Sequence, residues 1–408
     1  MKMNHFRMMT TCRRLSTLVS LITILLFACS PNPRPEKEFD FFKPEDKLVT
    51  APGKREMILR TERPLNLETP QKYFLEDFTP NDVFFVRWHL SEMPQRVNPD
   101  TFKLRIYGHV QRPLALSIAD LKSRFNAVTL PALAVCAGNA RQQFNPGVAG
   151  VQWKNGAMGN ANWTGVRLRD LLAAAGIKDG ALEVAFNGMD EPPLSQTPDF
   201  IKTLPLEKAM DGEVMVAYAM NHDTIPILNG YPLKLVVPGW YATYWIGMLH
   251  EIKVYKDTFP GFWMKKAYQV PIGISNGNET PDILAKKTTP IRRIAIRSIF
   301  VQPESGSSIQ KGRAVEIQGL AFEGGSGIAK VELSTDSGKT WTTTRLDTEL
   351  GKFAWRRWHY TWTPTSTGMQ YLMVKAISNQ GETQPWKQWN RSGYMKNEIE
   401  QLSLFVSE

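Results

Sequence analysis

The stretch Leu130-Pro131-Ala132-Leu133-Ala134-Val135-Cys136-Ala137-Gly138-Asn139-Ala140-Arg141 runs an apolar segment into a turn and leaves one thiol at the join. Leu130 to Val135 carries no charge and reads as a buried strand, and Ala-Gly-Asn reads as a tight turn. A thiol at a strand end, followed by a guanidinium, has three readings: a nucleophile, a soft metal ligand or a buried structural cysteine. The cysteine count bears on the choice. The chain of 408 residues has three, Cys12, Cys29 and Cys136.

The first two sit in an export signal. Lys2, Arg7, Arg13 and Arg14 precede the apolar run Leu18 to Ala28, which is short for a bilayer-spanning helix. Leu26-Phe27-Ala28-Cys29 resembles a bacterial lipoprotein box, with Phe27 bulkier than is usual there. Arg13-Arg14 hints at twin-arginine export, although Cys12, Ser16 and Thr17 do not fit that pattern. The alternative is an uncleaved anchor. Residues 1–29 are therefore expected to be a leader, with an exported, periplasmic protein lipid-anchored at Cys29. Cys136 would then be the one free thiol in an oxidising compartment, where it needs burial or ligation.

Hydrophobic content of 42% and charged content of 22% are ordinary for a soluble globular protein, and the length allows two or three domains. The net charge of +10 suits an anionic partner or substrate, but no basic block follows the leader, which argues against nucleic acid.

Residues 30–75 are rich in Pro, Lys and Glu and predict a tether and N-terminal arm. Val83 to Val86 predicts a strand ending in Arg87 and His89, two residues apart and so on one face. Phe102 to Gly108 alternates as a strand, and Ser117 to Phe125 reads as a capped helix. Gly147 to Gly165, with Trp153 and Trp163, reads as a long functional loop, and Thr164 to Gly176 as an amphipathic helix. Leu182–Phe186, Val214–Met220, Tyr231–Pro238 and Ile252–Tyr255 read as strands, and Leu206–Met210 as a helical turn. The mixture predicts an α+β domain over residues 76–288. From Ile291 onward, short alternating runs with turn signals, among them Asp336-Ser337-Gly338, predict an immunoglobulin-like sandwich over residues 289–408. No dinucleotide or Walker fingerprint appears, and the cysteines cannot form a Cys-x-x-Cys-His haem site.

Cys136-Ala137-Gly138-Asn139 with Arg141, Trp153, Gly156-Ala157 and Trp163-Thr164-Gly165-Val166-Arg167-Leu168 resembles the sulfite oxidase family of molybdenum enzymes. So do Phe84 to Leu90, Asn98 to Thr101, Gly188-Met189-Asp190, Tyr231 to Gly239 and Trp389-Asn390. The resemblance spans about residues 75 to 408. It implies a molybdopterin-binding oxidoreductase domain followed by an immunoglobulin-like dimerisation domain, one Mo-molybdopterin per chain and no haem. Cys136 would supply thiolate to the metal. Phe85, Val86, Arg87, Trp88, His89, Asp190, Asn229 and Lys234 would hold the pterin. Arg87 and Arg141 would line an anion pocket, with Trp153 as a wall and Tyr268 as hydrogen-bond donor.

The implied activity is sulfite dehydrogenation, with electrons passed to a separate c-type cytochrome and a possible homodimer through the C-terminal domain. The alternatives are another oxygen transfer, such as sulfoxide or oxyanion reduction, and, from a different class, a non-catalytic binding lipoprotein. The chain departs from the family at Trp88, at Asn229 where a pterin-contacting His is usual, and at Tyr244–Gly247, which lack a basic pair. It departs again at Ser326, where a third pocket arginine is expected, at a turn facing the metal pocket. Arg356, Arg357 and Arg391 are candidates to compensate.

Overall fold

The computed structural model describes residues 46–272 and 279–408. The leader, Cys29 and the first part of the tether lie outside them. The described chain is mostly β, with four short α-helices. None of the helices is long and apolar enough to cross a membrane.

The uncharged run before Cys136 forms the strand Ala127–Val135, antiparallel to Met158–Arg167 from Ala127↔Val166 to Val135↔Met158. Met215–Met220 flanks Met158–Arg167, and Lys234–Val236 pairs with Met215–Met220. Both faces of this sheet are covered, which explains its runs of small and apolar residues. A second sheet has the order Lys202–Pro205, Glu183–Asn187, Glu251–Tyr255, Leu104–Gly108, Leu114–Leu116, with one parallel pair in its centre. Ile118–Arg124 is a helix because Ser117 and Asp120 cap it reciprocally. Leu168–Ala175 buries Leu168, Leu171, Leu172 and Ala175 and stops at the left-handed Gly176.

Three sequence expectations are corrected. The second half of the expected Gly147–Gly165 loop is strand, in which Ala161, Trp163 and Gly165 are buried while Asn162 and Thr164 between them are half-buried. That strand absorbs Thr164–Arg167, so the helix begins at Leu168. The arm is not wholly unstructured: Lys47–Ala51, Lys54–Thr61 and Asn66–Glu68 form a sheet with Val86–Arg87. Met57, Leu67, Val86 and Trp88 give that sheet a small core, spaced too sparsely to show as a period in the sequence.

Two sheets make up the C-terminal domain. Arg297–Gln302, Val315–Phe322, Arg356–Trp362 and Arg345–Leu346 form one; Ser308–Gln310, Glu400–Ser407, Gly368–Ser378, Ile328–Ser334 and Thr342–Thr343 form the other. Ile317, Trp358, Val331, Leu372, Val374 and Leu404 meet between them in a single core. The domains share packing as well: Ile291, Ile299, Leu320, Phe353 and Trp355 belong to the same core as Trp163 and Leu133. The Cys136 strand end lies beside this seam, where Met395 N–H donates to Ala137 O at 2.8 Å.

Candidate active site

Cys136 ends its strand with its N–H bonded to Ala157 O and its C=O accepting from Asn139 N–H, so the thiol projects from a closed turn. It is a free thiol, 6% exposed. The turn is tight around Arg141: a Cβ on Gly138 would come 2.7 Å from the guanidinium. The thiol borders a cavity, a cleft that encloses about 740 Å³ of space, open solvent included. Phe85, Arg87, Trp88, His89, Asp190, Asn229, Lys234 and Tyr268 border the same cavity. With Cys136, residues from five separate stretches of sequence thus converge on one space.

The walls carry cations with no carboxylate within salt-bridge distance among the described residues. Lys234 Nζ donates to Asn229 O at 3.0 Å, and Lys54 Nζ to Asn229 Oδ1 at 2.5 Å, while Asn229 Nδ2 donates to Phe85 O. Burial lowers Lys234 to about 8 and Lys54 to about 7. Arg87 Nη1 donates to Asn66 Oδ1 at 3.2 Å and to Trp88 O. Lys202 lies behind Tyr268, 4.9 Å from its ring centre and 4.7 Å from that of Tyr244, and burial brings it to about 7. Asp190 is also buried, and desolvation lifts it to about 7.

His89 stacks on Phe200 at 3.5 Å and hydrogen-bonds Tyr268 Oη through Nε2. Burial first, then Arg87 and Lys202, push His89 well below its ordinary range. Desolvation pushes Tyr268 above its ordinary value. The pair is therefore neutral imidazole and phenol, joined by one hydrogen bond.

Three expected site residues do not border the cavity. Val86 points into the small core under the N-terminal sheet. Trp153 is fully buried in the main core, its indole N–H unpartnered. Arg141 is drawn aside by two carbonyls, Gly393 O at 2.9 Å and Val151 O at 3.0 Å, and lies 4.8 Å from the ring centre of Tyr394. Tyr394 in turn stacks on the cavity residue Tyr268 at 5.2 Å. Ser326 does not border the cavity either: its hydroxyl accepts from Arg293, and its carbonyl from Asn379. Arg356, Arg357 and Arg391 are likewise held by carbonyls elsewhere.

Sequence reasoning missed Lys54, Lys202, Phe200 and Tyr394. Lys54 and Lys202 stand in segments with no motif. The one available signal was the missing basic pair at Tyr244–Gly247 and the Asn at 229, which left the seat short of charge.

Two family models match in the order the sheets require. The oxidoreductase molybdopterin binding domain matches residues 90–263, and the Mo-co oxidoreductase dimerisation domain residues 288–403. Chicken sulfite oxidase is 31% identical over 348 residues, covering 82% of this chain and 73% of that protein. The chain belongs to the sulfite oxidase family of molybdopterin oxidoreductases.

Other members bracket it. Human mitochondrial sulfite oxidase is 30% identical over 86% of this chain, and the chain spans 66% of its length. Arabidopsis sulfite oxidase is 27% identical over 88% of this chain and 97% of its own. The sulfane dehydrogenase SoxCD structure from Paracoccus pantotrophus shares the fold, with a TM-score of 0.71 over 95% of this chain and 97% of that one at 24% identity.

The family's cofactor fits this cavity. A soft sulfur ligand stands at one side, while the buried amino groups of Lys54 and Lys234, with only neutral hydrogen-bond partners, stand around Asn229, an arrangement suited to a phosphate. Among the described residues no group of three or more His, Cys, Asp and Glu could hold a metal by itself, so a metal at Cys136 would take its other ligands from a cofactor.

Proposed function

We propose that the chain is a molybdenum-dependent sulfite dehydrogenase: sulfite and water give sulfate, two protons and two electrons. The observation that supports this best is the buried thiol of Cys136 facing a cavity bordered by Arg87 and Lys234, neither of them in a salt bridge among the described residues. The molybdopterin-bound metal would supply oxygen-atom transfer and two-electron redox chemistry. The chain's residues would do the rest. Cys136 would hold the metal, while Lys234, Asn229, Asp190, His89, Phe85 and Trp88 would hold the pterin. Arg87 would bind and orient the oxyanion with a guanidinium fork. Tyr268 would remain a phenol and His89 a neutral acceptor, so their pair adds no negative charge against an incoming anion.

Sulfite would approach past Arg87, and the electrons would pass singly to a c-type cytochrome. Residues 76–288 would form the catalytic domain and 289–408 an immunoglobulin-like sandwich. A second copy would pack on that sandwich, where Met369 pairs with Phe405 and both are exposed beside Tyr371. Export and lipidation at Cys29 complete the reading.

One observation favours a second reading. Arg87 is the only guanidinium among the described residues that borders the cavity. A less charged oxygen donor, such as a sulfoxide, would then be the substrate. Steady-state kinetics at matched molybdenum content separate the two. Sulfite-dependent cytochrome c reduction, with no sulfoxide turnover, supports the first; the reverse pattern refutes it.

A further inference from the structure

Lys54 precedes the matched family domains, on the second strand of the N-terminal sheet, and does not itself border the cavity, yet its buried ammonium reaches Asn229, which does. Its three donors reach Asn81 O at 2.6 Å, Phe84 O at 3.0 Å and Asn229 Oδ1 at 2.5 Å. Asn229 is thereby held at both ends, by Lys54 at its side chain and by Lys234 at its carbonyl. The position matters because Gly230, with φ of +107° and a Cβ that would strike Gly247 at 2.5 Å, fixes the backbone beside it. The charged groups that act on Lys54 are Asp82, which Arg55 already engages, and Lys234. An ammonium with only neutral partners, beside a second ammonium, is costly to bury unless an anion lies near.

We propose that Lys54 is a positioning residue for the cofactor: it fixes Asn229 and adds a second buried positive charge at the seat of the pterin's phosphate. The N-terminal sheet is then part of the cofactor site, a clasp closing from outside the catalytic domain. This rests on the molybdopterin reading above.

The test is retention of the pterin by purified holoprotein, measured as oxidised-pterin fluorescence released into the filtrate with time. Lys54→Met should release it at least about tenfold faster than the unaltered protein at pH 6, and Lys54→Arg should restore most of the difference. The gap should close toward pH 9, as the unaltered lysine loses its proton. A measurement on the unaltered apoprotein guards against a variant that fails to fold: inorganic phosphate should raise its melting temperature at pH 6 and not at pH 9. If folded Lys54→Met keeps the pterin as long as the unaltered protein does, with the same pH dependence, the proposal is wrong while the molybdopterin reading stands. If phosphate stabilises the apoprotein equally at both pH values, the proposed charge is also wrong. If the unaltered protein carries and takes up no pterin, both fall together.

Discussion

Replacing Arg297 with methionine should unlock the turn that presents Cys136. Arg297 belongs to the C-terminal domain and is buried. One face of its guanidinium donates to Asn139 Oδ1 at 2.7 Å; the other meets Asn155 Oδ1 at 2.8 Å, Gln143 Oε1 at 3.2 Å and Glu400 Oε2 at 2.9 Å. Asn139 closes the turn onto Cys136 O, so this side chain ties the thiol loop to the second domain. Methionine fills the volume but leaves Glu400 without its counter-ion. Breaking a buried pair in this way costs about 3–5 kcal/mol. Burial already raises Glu400, with Arg297 opposing it. Without Arg297 the folded state holds the Glu400 proton to higher pH, so folding takes up a proton and the variant recovers stability as pH falls. Adding Glu400→Gln should recover about 1–3 kcal/mol, the coupling of residues in one network. The assay is urea unfolding of the four proteins of the cycle at pH 5 and pH 8. A cost below about 1 kcal/mol with strictly additive singles, a size common for ordinary substitutions, would refute the role of Arg297 as a strut.

Further outcomes are expected. Cys136→Ser should fold and lose nearly all turnover, since a hydroxyl is a harder and weaker ligand than thiolate; steady-state kinetics with circular dichroism check this. Arg87→Ala should raise the KM for sulfite by the loss of a charge-assisted contact worth about 2–4 kcal/mol, whereas Arg141→Ala, whose guanidinium faces carbonyls, should lower stability and kcat more than it raises KM. Asp190 is lifted to about 7 by burial, so the folded apoprotein holds a proton that the unfolded chain has lost, and stability falls as pH rises from about 4 to about 7. Asp190→Asn should therefore stabilise the apoprotein at pH 8 by about 2–4 kcal/mol and leave it unchanged near pH 3, as read by denaturant midpoints. Met369→Glu with Phe405→Glu should convert a dimer to monomer in light scattering if the exposed stripe is the contact between copies.

What was legible in the sequence depended on local pattern. The Leu130–Val135 run, the Ser117 cap and the Gly176 stop are set by neighbours within a few residues, and each element forms where those residues place it. Cys136, Arg87, His89, Asp190, Asn229, Lys234 and Tyr268 converge on the cavity, and each was legible because a family motif names it. Arg141, Trp153 and Ser326 could not be placed from motifs. Their directions are set by long-range partners: Gly393 for Arg141 and Arg293 for Ser326, while Trp153 packs into the main core. Lys54 and Lys202 were illegible for the same reason. Nothing near Lys54 in the sequence announces Asn229, 175 residues away.

The central claim is that Cys136 binds a metal that also carries pterin sulfur. X-ray absorption at the molybdenum edge, on the unaltered protein and on Cys136→Ser loaded in parallel, tests it most directly. The account predicts molybdenum in the unaltered protein and one fewer sulfur neighbour in the variant. An unaltered protein without molybdenum, or an unchanged sulfur count on loss of the thiol, would contradict it.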